Sequence, residues 1–138
     1  MEKSLNTESG NHAMRTKFFV IAKKLIVSSN HPQHQLGCVI VNKNKIISSG
    51  YNQLKTHPIS TSIYRQLHAE MHAVVRASDK NILDGCEAYV YREHKNGTTA
   101  LARPCVYCQG ALVAVGITTV HYTVNDPLVV YETTHLNQ

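Results

Sequence analysis

Residues 67–78 read LHAEMHAVVRAS and residues 104–116 read PCVYCQGALVAVG. In the first stretch Leu67, Met71, Val74 and Val75 recur at helical spacing, which predicts a helix over 67–78. The second predicts a helix from Pro104 through about Val115. Proline sits in its first turn, where a missing N–H is tolerated, and Gly116 suits its C-terminal cap. Between the two, Cys86–Tyr91 reads CEAYVY, a strand rich in Tyr and Val. Ile117–Val124 supplies another strand beyond the second helix. Strands separated by helices imply parallel neighbours, so this central region already selects the α/β class.

Outward from that core, Phe18, Ile21, Ala22, Leu25 and Ile26 predict a helix over Ala13–Ser29, ended by Asn30-His31-Pro32. Gly37–Val41 and Lys45–Ser49 are short apolar runs, and Asn42-Lys43-Asn44 between them supports a hairpin. Tyr51–Arg65, with His57-Pro58, reads as a polar loop, Asp79–Gly85 as a turn, and Arg92–Arg103, with Asn96-Gly97, as a second polar loop. Leu128–Glu132 is a final strand. Asn125-Asp126-Pro127 is too short for a parallel crossover, so that strand should pair antiparallel with its predecessor. The order α, β, β, α, β, α, β, β predicts a mixed sheet with helices on its faces. Residues 1–12 read as a flexible N-terminal arm, and 13–138 as one domain.

With 138 residues, 43% apolar and 17% charged, the chain has the composition of one folded globular domain. No apolar run approaches the ~20 residues of a membrane span, and Met1–Gly10 lacks the apolar core of a secretion signal. Both point to a cytoplasmic protein with no membrane partner. The net charge of +5 hints at an anionic partner such as a nucleotide or nucleic acid. The basic residues are scattered, however, and a solvated basic surface is the favoured reading. In a chain of this kind Cys38 and Cys86, lying in apolar strand-like runs, read as buried thiols. The pair Cys105 and Cys108 reads as metal-binding.

Cys105 and Cys108 lie three apart on one helix face, in a first turn whose dipole favours thiolates. With His68 they make three ligands of the type and number an open catalytic zinc site uses. Two thiolates cancel the charge of Zn²⁺. Such a centre acidifies water less than an all-histidine one, which gives a nearby base such as Glu70 a purpose. Positions two apart on a helix point to nearly opposite sides, so His68 and Glu70 share a site only if the end of their helix faces the metal. Three rival readings remain. His68 and His72, four apart, could close a Cys2His2 structural site, though that leaves Glu70 without a role. H-A-E-M-H fails the metalloprotease pattern H-E-x-x-H by one position. A redox C-x-x-C gives the His-x-Glu no role.

At His68-Ala69-Glu70 and Pro104-Cys105-Val106-Tyr107-Cys108 the sequence resembles the cytidine and deoxycytidylate deaminase superfamily, whose signature is H-x-E followed by P-C-x-x-C. Residues 37–41, Gly50-Tyr51-Asn52 and Gln109-Gly110-Ala111-Leu112 share the likeness, which covers roughly residues 13–124. It implies a three-layer α-β-α fold with a mixed five-stranded sheet and helices on both faces. It implies Zn²⁺ on His68, Cys105 and Cys108. Glu70 would shuttle protons between water, the ring nitrogen and the departing ammonia. Asn52 and Ala69 would be substrate contacts; the bland reading of Asn52 is a turn-stabilising side chain. The expected substrate is a cytosine base in a free nucleoside or nucleotide, in an enzyme that forms homo-oligomers. The alternatives are cytosine in single-stranded DNA or RNA, for which few stacking aromatics are present, and a non-catalytic zinc-binding module. Arg92, His94, Lys95 and Arg103 flank the expected mouth, where they would meet a phosphate or be solvated loop charges; the second reading is slightly favoured. His72 and Tyr107 read as packing or surface residues.

Overall fold

The computed structural model of the chain describes residues 2–31, 34–54, 66–125 and 131–136, with side chains from residue 13 onward except that of residue 66. Its elements are α1 (Glu2–Leu25), β1 (Gln35–Asn42), β2 (Lys45–Tyr51), β3 (Gln53–Leu54), β4 (Gln66–Leu67), α2 (Ala69–Arg76), β5 (Glu87–Glu93), α3 (Val106–Ala114), β6 (Thr119–Thr123) and β7 (Tyr131–His135). Short 3₁₀ turns cover Ile26–Ser28 and Lys80–Leu83. Five strands form one sheet in the order β2-β1-β5-β6-β7, and β3 and β4 form a separate two-stranded ribbon.

The expected hairpin is present. Lys43 and Asn44 both take positive φ, 48° and 69°, the two-residue turn whose twist matches paired strands. The β1–β2 register shifts between Ile40 and Val41, leaving Ile47 without an opposite residue. Parallel pairing holds for β5 and β6, and β7 runs antiparallel to β6 as the short connection requires. The other neighbour of β5 is β1, and that pair is antiparallel. β1 is buried over five consecutive positions, whereas β2 alternates toward exposure. The strand with two apolar faces therefore enters the sheet interior, and β2 takes the edge.

Successive side chains on a strand point to opposite faces, and here each face builds its own core. Cys38 and Ile40 of β1 and Ala88 and Val90 of β5 pack with Met71, Val74 and Leu112 of α2 and α3. Val39, Val41, Tyr89 and Tyr91 pack with Phe18, Phe19, Ala22 and Ile26 on and just beyond α1. That is the expected layering of helix, sheet and helices.

Several boundaries differ from the sequence reading. Helix α1 starts at Glu2 rather than Ala13, so residues 2–12 extend the helix instead of forming a loose arm. Good helix formers (Glu2, Lys3, Leu5, Glu8) outweigh Gly10, and no proline intervenes. Helix α3 starts at Val106, and Cys105 is its N-cap. Pro104 thus stands just outside the helix, not in its first turn. The C-terminal end follows expectation. Gly116, at φ 90°, donates to Val113, and Ile117 donates to Leu112, the paired bonds of a Schellman cap. The final strand lies at Tyr131–His135 rather than Leu128–Glu132. Pro32, residues 55–65 of the first polar loop and residues 126–130 lie outside the described residues.

Candidate metal centre and active site

The N-termini of α2 and α3 carry the three candidate metal donors. His68 is the N-cap of α2, in extended backbone at φ −70° and ψ 154°. It therefore projects from the helix end, which removes the geometric conflict with Glu70 two residues on. Gly50 of β2 permits this placement. A Cβ there would run into the backbone N of Ala73 and lie 2.8 Å from the carbonyl oxygen of Ala69, so only glycine lets the strand approach the first turns of α2. At α3 the Cys105 sulfur accepts the backbone N–H of Cys108 at 3.4 Å. The Gln109 side chain donates to the Pro104 carbonyl at 2.8 Å and ties the incoming chain to the helix.

His68 Nδ1 lies 3.1 Å from Cys108 Sγ and 3.7 Å from Cys105 Sγ. The three donor atoms all fall within 4.8 Å of one another. A tetrahedral ion bound at ~2.0–2.3 Å holds its donors roughly 3.5–3.8 Å apart, so the set fits Zn²⁺ with little adjustment. No fourth donor joins them among the described residues. His72 is turned elsewhere: its Nδ1 accepts the Tyr51 backbone N–H at 3.0 Å, and its ring packs edge-on against Tyr51. The closed Cys2His2 alternative is thus not formed by these residues.

Burial acts on three groups of this centre, His68, Glu70 and Cys108. It pushes the Cys108 thiol far up, with Glu70 adding to the effect, and it lowers His68. Glu70 is 3% exposed and is raised to about 7 by desolvation, partly offset by its own backbone N–H. Burial thus favours the neutral form of each of these three groups. A divalent cation among them is the charge that favours thiolate and carboxylate, and the positive ends of α2 and α3 act in the same direction.

The centre opens into a pocket of about 260 Å³ lined by His31, His34, Leu36, Asn52, His68, Ala69, Glu70, Arg92, Arg103 and Cys105. Ala69 is fully buried in its wall. Asn52 also lines it, but its carboxamide is heavily engaged. Its oxygen accepts from the Leu36 N–H at 2.9 Å and the Ser29 hydroxyl at 2.7 Å, and its nitrogen donates to the His34 carbonyl at 2.6 Å. Asn52 therefore holds together three segments of the pocket wall. Of the four basic residues expected at the mouth, Arg92 and Arg103 line it. His94 instead meets Asn125 at 3.2 Å, and exposed Lys95 is not among the lining residues. The sequence reading missed His31 and His34. Their one local signal, two histidines in the stretch HPQH after α1, is indistinguishable from an ordinary polar loop.

The profile of the cytidine and deoxycytidylate deaminase zinc-binding region matches residues 13–124. The chain belongs to the cytidine and deoxycytidylate deaminase family. Within the family, it is 32% identical over 105 residues to the riboflavin biosynthesis protein RibD of Escherichia coli, covering 72% of this chain and 23% of RibD. It is 30% identical over 114 residues to an uncharacterized deaminase of Aliivibrio fischeri, covering 76% of this chain and 69% of that protein. The chain thus spans less than a quarter of RibD. Cytidine deaminase from Burkholderia pseudomallei has the same fold: TM-score 0.62 at 16% identity, over 88% of this chain and 91% of that one. Family membership makes zinc the metal that the His68, Cys105 and Cys108 donors suit. Among the described residues, no helix of this chain is long and apolar enough to cross a membrane.

Proposed function

We propose that residues 13–138 act as one catalytic domain that converts a cytosine base to uracil, releasing ammonia, in a free nucleoside or nucleotide. The observation that carries this reading is a buried carboxylate, Glu70, in the same pocket as an open three-donor metal set. His68, Cys105 and Cys108 would hold zinc, which when bound would supply Lewis-acid activation of the attacking water.

The remaining steps belong to the chain. The Glu70 carboxylate takes a proton from the water as its oxygen adds to the amine-bearing ring carbon. It passes that proton to the ring nitrogen. Glu70 then takes the remaining proton from the new hydroxyl and delivers it to the amino group; the C–N bond breaks, the hydroxyl becomes the carbonyl, and ammonia leaves. Asn52 keeps the wall at Leu36 and His34 in place, and Ala69 gives the base a close, flat contact. The domain acts in the cytoplasm as a homo-oligomer.

The test is Glu70→Gln. Ammonia release from cytidine, deoxycytidine or their monophosphates should fall about a thousandfold, while bound zinc, measured by metal analysis, stays near one per chain. Wild-type protein that binds zinc and deaminates none of these substrates would make the domain a zinc-binding module.

A further inference from the structure

The mouth of the pocket is chemically unlike its floor. At the floor lie Glu70 and fully buried Ala69 with the metal donors. At the mouth stand Arg92 and His31, half-buried, and His34 and Arg103, exposed. Glu70 is the sole carboxylate among the lining residues.

Arg92 comes from the end of β5, where its backbone N–H donates to the buried Thr123 hydroxyl at 3.1 Å. Its guanidinium donates to the Leu101 carbonyl at 3.1 Å and meets His34 Nδ1 at 2.7 Å. Its Nε is buried with no partner. All its partners are neutral acceptors, so its charge is not cancelled by any carboxylate among the described residues.

The same contact sets the state of the neighbouring ring. His34 Nδ1 accepts from Arg92, which leaves its proton on Nε2. Burial, then Arg92 and His31, lower its tendency to take a second proton. His31 Nδ1 accepts the His34 backbone N–H at 3.0 Å, and the two rings lie 5.4 Å apart. Two guanidinium groups and the His34 imidazole, carrying Nε2–H, thus stand at one opening with His31 beside them. That array donates and does not accept, as a phosphate requires.

We propose that this rim is a phosphate clamp, and that the substrate is a free mononucleotide whose phosphate it binds while the base reaches Glu70. The proposal rests on the deaminase reading of the floor. A polynucleotide phosphate has the same chemistry, but a strand needs a stacking track beyond the pocket. Among the described aromatics Phe18, Phe19, Tyr89, Tyr91 and Tyr122 are buried, Tyr51 and Tyr131 are half-buried, and Tyr107 alone is exposed, one ring where a track needs several.

The experiment measures affinity by calorimetry on zinc-loaded Glu70→Gln protein, which holds ligand without turning it over. The ligands are deoxycytidine, deoxycytidylate, cytidine, cytidylate and a short cytosine-containing single strand. The expected result is that each monophosphate binds at least tenfold tighter than its nucleoside. Adding Arg103→Gln or Arg92→Gln, each judged for folding by circular dichroism, should cut that ratio about tenfold, the worth of one charge-assisted hydrogen bond. Arg103 is exposed, so its variant keeps the test valid if Arg92→Gln misfolds. Equal binding of nucleoside and monophosphate overturns the clamp. Tighter binding of the strand than of the monophosphate overturns the mononucleotide. Failure of the deaminase reading is seen separately, as absent ammonia release by wild-type protein, and leaves the affinity ratio to judge the clamp alone.

Discussion

Two histidine–carboxylate pairs lie against opposite faces of this sheet, and they are put to different uses. On the α1 face His121 is fully buried. It donates from Nε2 to Glu87 at 2.5 Å, accepts at Nδ1 from the Thr133 hydroxyl at 2.6 Å, and stacks on Tyr89. Both ring nitrogens are used by the protein, so the group is a neutral strut linking β5, β6 and β7. On the α2/α3 face His68 has two sulfurs before its Nδ1, and Glu70 is buried beside a pocket. Similar residue types give a closed structural contact in one place and an open, ligand-requiring centre in the other. The difference is whether other protein groups complete the polar set.

The largest effect that would break this contrast is at Cys108. Cys108→Ala should remove nearly all bound zinc, read by metal analysis, because two donors cannot hold a tetrahedral ion against competition. His121→Gln should leave zinc content unchanged. Loss of zinc there too would mean that the two faces are not independent.

Stability should respond in the opposite sense. Phe18→Ala, on the α1 face, should cost about 3–5 kcal/mol in urea denaturation with zinc retained. Gly50→Ala should cost about 1–3 kcal/mol by forcing β2 away from α2. It should also speed zinc loss to a chelator, because α2 carries His68.

The smallest effect concerns pH. Burial lowers His121 below its ordinary 6.5, partly opposed by Glu87, while Arg15 from α1 and His135 from β7 add to the lowering. Tyr89 and Tyr131 face the ring as well. The folded chain therefore binds this proton less readily than the unfolded one. The associated stability is complete above pH 6.5 and is lost as pH falls toward the lowered value. Between pH 7.5 and 5.5 the urea midpoint of wild type should fall more than that of His121→Gln. The difference should be within about 1.4 kcal/mol per pH unit.

The layered architecture was legible because it is written in local periods. Phe18, Ala22 and Ile26 mark one helix face, and Val39 and Val41 against Cys38 and Ile40 mark the two sides of one strand. The metal donors were legible because histidine and a C-x-x-C at helix ends have few other uses together. Helix α1 was under-read because helix formers without an apolar stripe, such as those in residues 2–9, look like any polar segment. Pro104 was misplaced by two positions because proline is acceptable both inside the first turn and just before the cap. At Asn52 the two readings had equal standing. Its bonds to Ser29, His34 and Leu36 give it a wall-holding role, since partners so far apart in the chain leave no local trace.

By itself, the amino-acid sequence determined the main helices and strands of the central sheet, which residues could ligate a metal, and which family the chain belongs to. These follow from spacing and chemical type along a few turns of chain. Only the tertiary structure decided that β1 enters between β2 and β5, that His68 meets Cys105 and Cys108, and that Arg92, Arg103, His31 and His34 ring one opening. Those juxtapositions join residues tens of positions apart. Burial of both faces of β1 and the close approach at Gly50 select them, and both are properties of the packed whole.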